Sequence, residues 1–265
     1  MMMNIGREIV ASFADVIFPQ SCAVCQVMSR TDETGLCPMC RGIVDQERGV
    51  PACPRCGGAV ALFELHDGKC AKCRLEPRHH VFGSVRVAPY GGRVGAMVRA
   101  YKYQRRYDLE PILGGWLAVV VKGAPWIDRV EAIVSVPTHW RSRLLRPPHA
   151  ADTLAGCVAR ELGLPHLQIL YRTRPGPRQV GLSHSQRIVN VRGAFALRRG
   201  VVLKEARLLI IDDVKTTGAT IEECAKVLNK SGASEVYAAT VAKAEYPKRA
   251  DPPPGVPRPR RMYPG

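Results

Sequence analysis

Long apolar runs are missing from this chain of 265 residues. No segment approaches the roughly 18 consecutive apolar residues that a membrane-spanning helix needs. The N-terminal stretch "MMMNIGREIVASFADVIFPQ" is interrupted by Glu8 and Asp15, and no small-residue cleavage site follows it. A secretory signal is therefore not expected, and a cytoplasmic location is. Acidic residues are scarce, with 23 Asp and Glu against 39 Lys and Arg, which leaves a net charge of +16. Such an imbalance favours anionic partners: phosphorylated metabolites, nucleic acid or an anionic membrane surface. The plain alternative is solubility together with a basic tail. A Walker A loop is also lacking, since no Gly-x-x-x-x-Gly-Lys-Ser/Thr occurs.

What remains is the composition of a globular protein, 46% hydrophobic and 23% charged, long enough for one sizeable core with a small appendage or for two modest domains. Ile5, Ile9, Phe13, Val16 and Ile17 share one helical face, which predicts an amphipathic helix over residues 1–18. Covering part of the body is its expected role, with attachment to a membrane surface as the alternative.

Eight of the ten cysteines form four Cys-x-x-Cys pairs: Cys22/Cys25, Cys37/Cys40, Cys53/Cys56 and Cys70/Cys73. Each turn aims two thiolates at one point, and two turns complete the tetrahedral sulfur cage that zinc prefers. Pro and Gly beside the cysteines, as in "CPMC" and "CPRCGG", suit tight turns whose amides point at sulfur. A disulfide framework would need an export signal, and a thioredoxin-like motif would need one pair on a βαβ unit. Two structural zinc sites are expected over residues 19–76, paired in sequence, with a crossed arrangement left open by spacing alone. Closed sulfur cages offer no open coordination position for catalysis. Cys157 and Cys224 sit on apolar helical faces and are expected to be buried bystanders.

After Pro77 the texture changes. Strands are predicted at 84–90, 130–137, 194–197, 207–211 and 234–242, and helices at 92–104, 108–123 and 148–164, the last followed by an apolar run "LQIL". Strands alternating with helices imply α/β architecture, a mostly parallel doubly wound sheet over residues 77–246. Ligands of such sheets bind beyond the carboxyl ends of the strands. The Pro/Arg-rich segment 247–265 is expected to be a disordered basic tail.

The segment "RLLIIDDVKTTGAT" concentrates the chemistry. Its apolar start reads as a central buried strand. Asp212 and Asp213 follow, pointing to opposite sides as successive strand residues do. "TTGAT" then opens a helix near Thr220, with Glu223 placed for a capping box. Hydroxyls and free amides at a helix N-terminus make a phosphate cradle. Chemistry alone thus suggests a ribose 5-phosphate moiety, the carboxylates taking its hydroxyls and the amides its phosphate. The bland alternative is an ordinary βα turn with two solvated aspartates.

"IIDDVKTTGAT" resembles the phosphoribosyl pyrophosphate motif of type I phosphoribosyltransferases. Together with the Cys-x-x-Cys pairs after "FP", it makes the chain similar to the ComF family of competence-associated proteins. "YKYQRRYDL", "SVPTHWRSRLLR" and "RQVGLSHSQRIVNVRGAF" resemble further segments of that family, the last at Gln179, Leu182, Arg187, Asn190, Gly193 and Phe195. Where family members read "RGFNQ", this chain reads "RPPHA", Arg146 to Ala150. The resemblance implies that Asp212 and Asp213 hold ribose hydroxyls directly or through Mg²⁺. It gives the 5-phosphate to Thr216, Thr217, Gly218, Ala219 and Thr220, and the pyrophosphate side to Thr138, Arg141 and Arg143. Lys102 and Arg187 would neutralise charge as pyrophosphate leaves.

Base-salvage enzymes of the hypoxanthine-guanine type carry an aspartate where Thr216 stands here, and a threonine is a poor base at neutral pH. Three readings follow. The first is a ComF-like cytoplasmic protein that binds phosphoribosyl pyrophosphate and handles single-stranded DNA with competence-machinery proteins. The second is a phosphoribosyltransferase of unknown acceptor, or a sensor of phosphoribosyl pyrophosphate. The third is a zinc-ribbon nucleic-acid module on a non-catalytic scaffold. Tyr101, Tyr103 and Tyr107 among Lys102, Arg105 and Arg106 suit base stacking, although a helix whose tyrosines pack inward is the reading preferred.

Overall fold

The structure, a computed structural model, describes residues 21–28, 31–32, 34–76, 80–138, 149–174 and 184–245. Of residues 184, 185, 187 and 188 it describes the backbone alone. The expected N-terminal helix, the basic tail, Arg141, Arg143, Gln179, Leu182 and the side chain of Arg187 lie outside the described residues.

Five parallel strands form the central sheet: β1 (Gly83–Pro89), β2 (Ala132–Ser135), β3 (His166–Leu167), β6 (Arg207–Lys215) and β7 (Glu235–Lys243), in the order β1-β7-β6-β2-β3. β6 is central because it is apolar on both faces. Leu209 and Ile211 enter one core with Tyr237, Ala239 and Val241 of β7, while Leu208 and Ile210 enter another with Val236 and Ala238. The first core is covered by α3 (Gly92–Gln104), α4 (Glu110–Lys122) and α5 (Ala150–Leu162). The second is covered by α7 (Ala219–Lys230) and the antiparallel pair β4 (Leu170–Arg172) and β5 (Phe195–Leu197), with α6 (His184–Val191) leading into β5.

Three details differ from the sequence reading. The run "LQIL" is not one element: His166–Leu167 pair with β2, and the chain leaves the sheet before Leu170 joins β5. The Gln168 amide donates to both oxygens of Asp152, at 3.1 and 2.9 Å, and this tie accompanies the departure. β6 does not end at the aspartates, since its pairing with β7 runs on to Lys215↔Lys243. And α7 has no capping box: Gly218 is the N-cap at φ +84°, and Glu223 Oε1 instead accepts from the Gly193 amide at 2.8 Å.

The two cysteine-rich lobes are joined by α1 (Pro38–Arg48), and a short α2 (Ala71–Leu75) carries the last pair. The first lobe shares the main core through Cys22, Leu36, Cys37, Cys40 and Val44. The second has a small cluster of its own around Cys53, Val60 and Cys73. It is tied to the sheet by polar contacts: Arg86 Nε donates to the Gly57 carbonyl at 2.6 Å, Ser84 N to the Pro54 carbonyl at 2.8 Å, and Arg55 to the Phe82 carbonyl at 2.6 Å. The Glu47 carboxylate, at the end of α1, accepts from Arg93 N and Val94 N at 2.7 and 2.8 Å and so caps α3. Among the described residues no helix is long and apolar enough to cross a membrane.

Candidate functional site

β6 delivers the two carboxylates to a cavity of 460 Å³ at its C-terminal end. Asp213 is buried and Asp212 half-buried. Asp213 N donates to Asp212 Oδ1 at 2.9 Å, and Val214 N donates to Asp213 Oδ1 at 2.7 Å, so the backbone holds both acids in place. From α3, Lys102 Nζ reaches both oxygens of Asp213, at 2.9 and 2.7 Å, while its side chain stays 39% exposed. Lys102 is thus the counter-ion of Asp213. Burial first, and then the charge of Asp213, push the Asp212 carboxyl well above the ordinary carboxylate range, with Lys102 acting in the opposite sense.

α3 stops where Arg105 adopts the left-handed conformation at φ +59°. The inward-packing expectation holds for one of the three tyrosines, Tyr103 lying on another face of α3 and Tyr107 beyond its end. Tyr101 is buried and its hydroxyl touches Thr153 and donates to Glu110 at 3.3 Å, whereas Tyr103 and Tyr107 are 55% and 39% exposed at the cavity mouth. Thr138 lines the same cavity, its buried Oγ1 having no hydrogen-bond partner.

The threonine loop opens elsewhere. Thr216, Thr217, Gly218 and Ala219 line a second cavity of 600 Å³, together with Arg55, Lys72 and Cys73 of the second cysteine lobe. Ala219 N donates to Thr217 Oγ1 at 3.1 Å. Thr220 lies in the first turn of α7, half-buried and not on this cavity's lining. The acid pair and the loop are thus neighbours along the chain, each lining one of the two cavities.

The eight paired cysteines gather as Cys22, Cys25, Cys37 and Cys40, and as Cys53, Cys56, Cys70 and Cys73, the sulfurs of each group all within 4.8 Å of one another. The pairing is sequential, not crossed. A tetrahedral zinc about 2.3 Å from each sulfur spaces the sulfurs by about 3.8 Å. Cys25 and Cys37 Sγ are 3.9 Å apart, and Cys56 and Cys70 Sγ 3.8 Å. Backbone amides donate to sulfur at both sites, Cys37 N to Cys22 Sγ and Cys70 N to Cys53 Sγ, each at 3.4 Å. The residues fit structural zinc at both places. Cys157 and Cys224 are buried in the body.

Comparison with known proteins agrees with this geometry. The double zinc ribbon domain family matches residues 13–74, and the phosphoribosyl transferase domain family matches residues 147–254. "Competence protein F" of Haemophilus influenzae is 29% identical over 84% of this chain and 96% of its own length. "DNA utilization protein YhgH" of Salmonella typhi is 31% identical over 82% of this chain and 94% of its own length. Among solved structures, a glutamine phosphoribosylpyrophosphate amidotransferase from B. subtilis is 23% identical over 54% of this chain and 30% of that one, with a TM-score of 0.37, a likeness too slight to carry weight.

Sheet order, the matched domain families and paired sulfur cages define a type I phosphoribosyltransferase-like α/β protein with an N-terminal double zinc ribbon. Within that class, the chain belongs to the family of competence protein F and DNA utilization protein YhgH.

Sequence reasoning passed over Lys215, Arg55 and Lys72. Lys215 stood inside the quoted motif, and its place on a strand with Asp213, two residues earlier on the same face, was the signal that could have found it.

Proposed function

We propose that this chain binds a sugar phosphate of the phosphoribosyl pyrophosphate class as its Mg²⁺ complex and serves the utilization of DNA, as the name of its YhgH relative says of that protein. One observation carries the ligand reading: the central strand presents Asp212 and Asp213 to a cavity and runs directly into the Thr216–Ala219 loop, whose Gly218 starts α7 in the left-handed conformation. Hard carboxylate oxygens are the donors Mg²⁺ prefers, and Asp212 and Asp213 would hold it, or the ribose hydroxyls, once Lys102 releases Asp213. Bound there, the ion would balance pyrophosphate charge. Thr138 supports the pyrophosphate side from the same cavity. Arg141, Arg143 and Arg187 are proposed for the departing charge on resemblance alone. Binding, more than turnover, is what these residues support, since the loop carries Thr216 where base-salvage enzymes carry a carboxylate.

A role with single-stranded DNA is favoured by the exposed Tyr103 and Tyr107 beside Lys102 and Arg105 at the cavity mouth. Aromatic faces among cations stack bases without sequence preference. Asp213→Asn tests the two readings apart. It should weaken phosphoribosyl pyrophosphate binding by about tenfold or more in titration calorimetry and leave single-stranded DNA affinity unchanged. Equal binding of the sugar phosphate by variant and wild type would remove the acid pair from the site.

A further inference from the structure

Lys215 is 6% exposed, and its one hydrogen bond is to Ser84 Oγ at 3.4 Å; no ion pair forms at it among the described residues. An ammonium with no carboxylate within ion-pair distance is costly to bury, although the charge of Glu222 acts on it. Its stem passes beneath the phosphate loop, where a Cβ on Gly218 would stand 2.9 Å from Lys215 Cε and 3.9 Å from Nζ. The side chain thus lines the 600 Å³ cavity from inside, at the start of α7. The opposite wall comes from the second zinc ribbon, as Arg55 and Lys72, and Arg192, Lys226 and Lys243 complete the cationic lining. Glu76, Glu222 and Glu223 also face the cavity; Glu222 accepts from His80 N at 2.9 Å, and Glu223 accepts from Gly193 N at 2.8 Å and pairs with Lys226 at 3.7 Å. Six cations line this space against three carboxylates, although Lys243 also pairs with Glu245 at 3.8 Å.

We propose that the second zinc ribbon is a working wall of the phosphate cavity, with buried Lys215 as the resident counter-ion for a phosphate monoester. This deepens the sugar-phosphate reading and rests on it. Two links join the ribbon to the cavity. Lys215 is steadied by Ser84, whose amide donates to the Pro54 carbonyl inside the Cys53-x-x-Cys56 turn. Arg55 and Lys72 lie within the two Cys-x-x-Cys turns, so they take up their places only when that turn pair is folded around its metal. Four thiolates around Zn²⁺ leave two negative charges behind this wall, and Lys215 and Lys243 line the cavity between them and its contents. Binding of the phosphate and loading of the second site must then strengthen each other, as any linked pair does.

The test uses the full zinc-loaded chain with ribose 5-phosphate and inorganic phosphate as probes. Zinc transfer to a chromophoric chelator is timed with and without probe, and affinity is measured by calorimetry. Saturating ribose 5-phosphate is expected to slow the departure of one of the two zinc ions by about tenfold or more and to leave the other unchanged. Lys215→Met and Lys72→Gln should each bind both probes more weakly, the former by about tenfold or more. Lys215→Met should also melt higher than wild type, because an unpaired buried charge has gone. Should that variant not fold, the exposed Lys72 carries the comparison. Unchanged zinc release, with both variants binding ribose 5-phosphate as wild type does, would overturn the ribbon's role and leave the sugar-phosphate reading standing. Failure of wild type to bind either probe overturns both.

Discussion

The Asp212 carboxyl, raised by burial and by Asp213 beside it, ties the acid pair to pH. A carboxyl whose folded-state pKa lies above its unfolded value binds a proton more tightly when folded. Its effect on stability is therefore least adverse below the ordinary carboxylate pKa near 4, and the cost grows as pH rises from there through the folded value. Asp212→Asn should accordingly raise the melting temperature, with a larger gain at pH 8 than at pH 5. Parallel melting curves for the two proteins at both values would show that Asp212 ionises freely. The acids were legible in the sequence because adjacency, an apolar lead-in and a Thr-Thr-Gly sequel all lie within one short stretch. The posture of Tyr107 was not, because it lies beyond the end of α3, after Arg105 in a conformation that side chains rarely adopt. Lys102 on Asp213 was equally hidden, being a contact between residues far apart in the chain.

Between elements, the most telling contact is the Glu47 carboxylate at the first turn of α3, the helix that carries Lys102 at its other end. Gly92 makes room for it at φ +58°, since a Cβ there would collide with Glu47 Oε1. Glu47→Gln keeps the shape and removes the charge; Glu47→Ala removes the cap altogether. The alanine variant is expected to lose about 1 kcal/mol of stability, read from the midpoint of urea unfolding, with the glutamine variant between it and wild type. A second close approach holds α4 against α5, where a Cβ on Gly114 would lie 2.6 Å from Cys157 Cβ. Gly114→Ala should cost about 1–3 kcal/mol despite its gain in helix propensity, and a neutral or stabilising result would mean that the helices part easily. Helix α3 was readable at both ends from its sequence, and the sheet's parallel nature from the alternation of elements. The split of "LQIL" between two sheets was not readable, because an apolar run carries no record of which neighbour it will pair with.

Over the whole molecule, the two ribbons differ in how they are held. The first contributes cysteines to the main core, while the second rests on its own small cluster and on hydrogen bonds to β1 and to Phe82. Stepwise chelation should therefore release the second lobe before the body unfolds, seen as two zinc equivalents leaving at separate chelator concentrations, the first with little change in the helical circular dichroism. Loss of both in one step with the fold would mean that the lobes are equally integral. Charge acts at this scale too. With +16 on the chain, affinity for single-stranded DNA should fall steeply and linearly in log-log form with salt, without regard to sequence. A flat salt response would take the basic surface out of DNA binding.

The central claim is that the pocket on β6 holds a Mg²⁺-bound phosphoribosyl group, and calorimetric titration with phosphoribosyl pyrophosphate, with and without Mg²⁺, tests it most directly. Micromolar binding that needs Mg²⁺ and disappears in Asp213→Asn is the expected result. No heat from the zinc-loaded wild type, together with no shift in its melting temperature, would contradict it and leave the α/β domain as a scaffold for the ribbons and their basic surface.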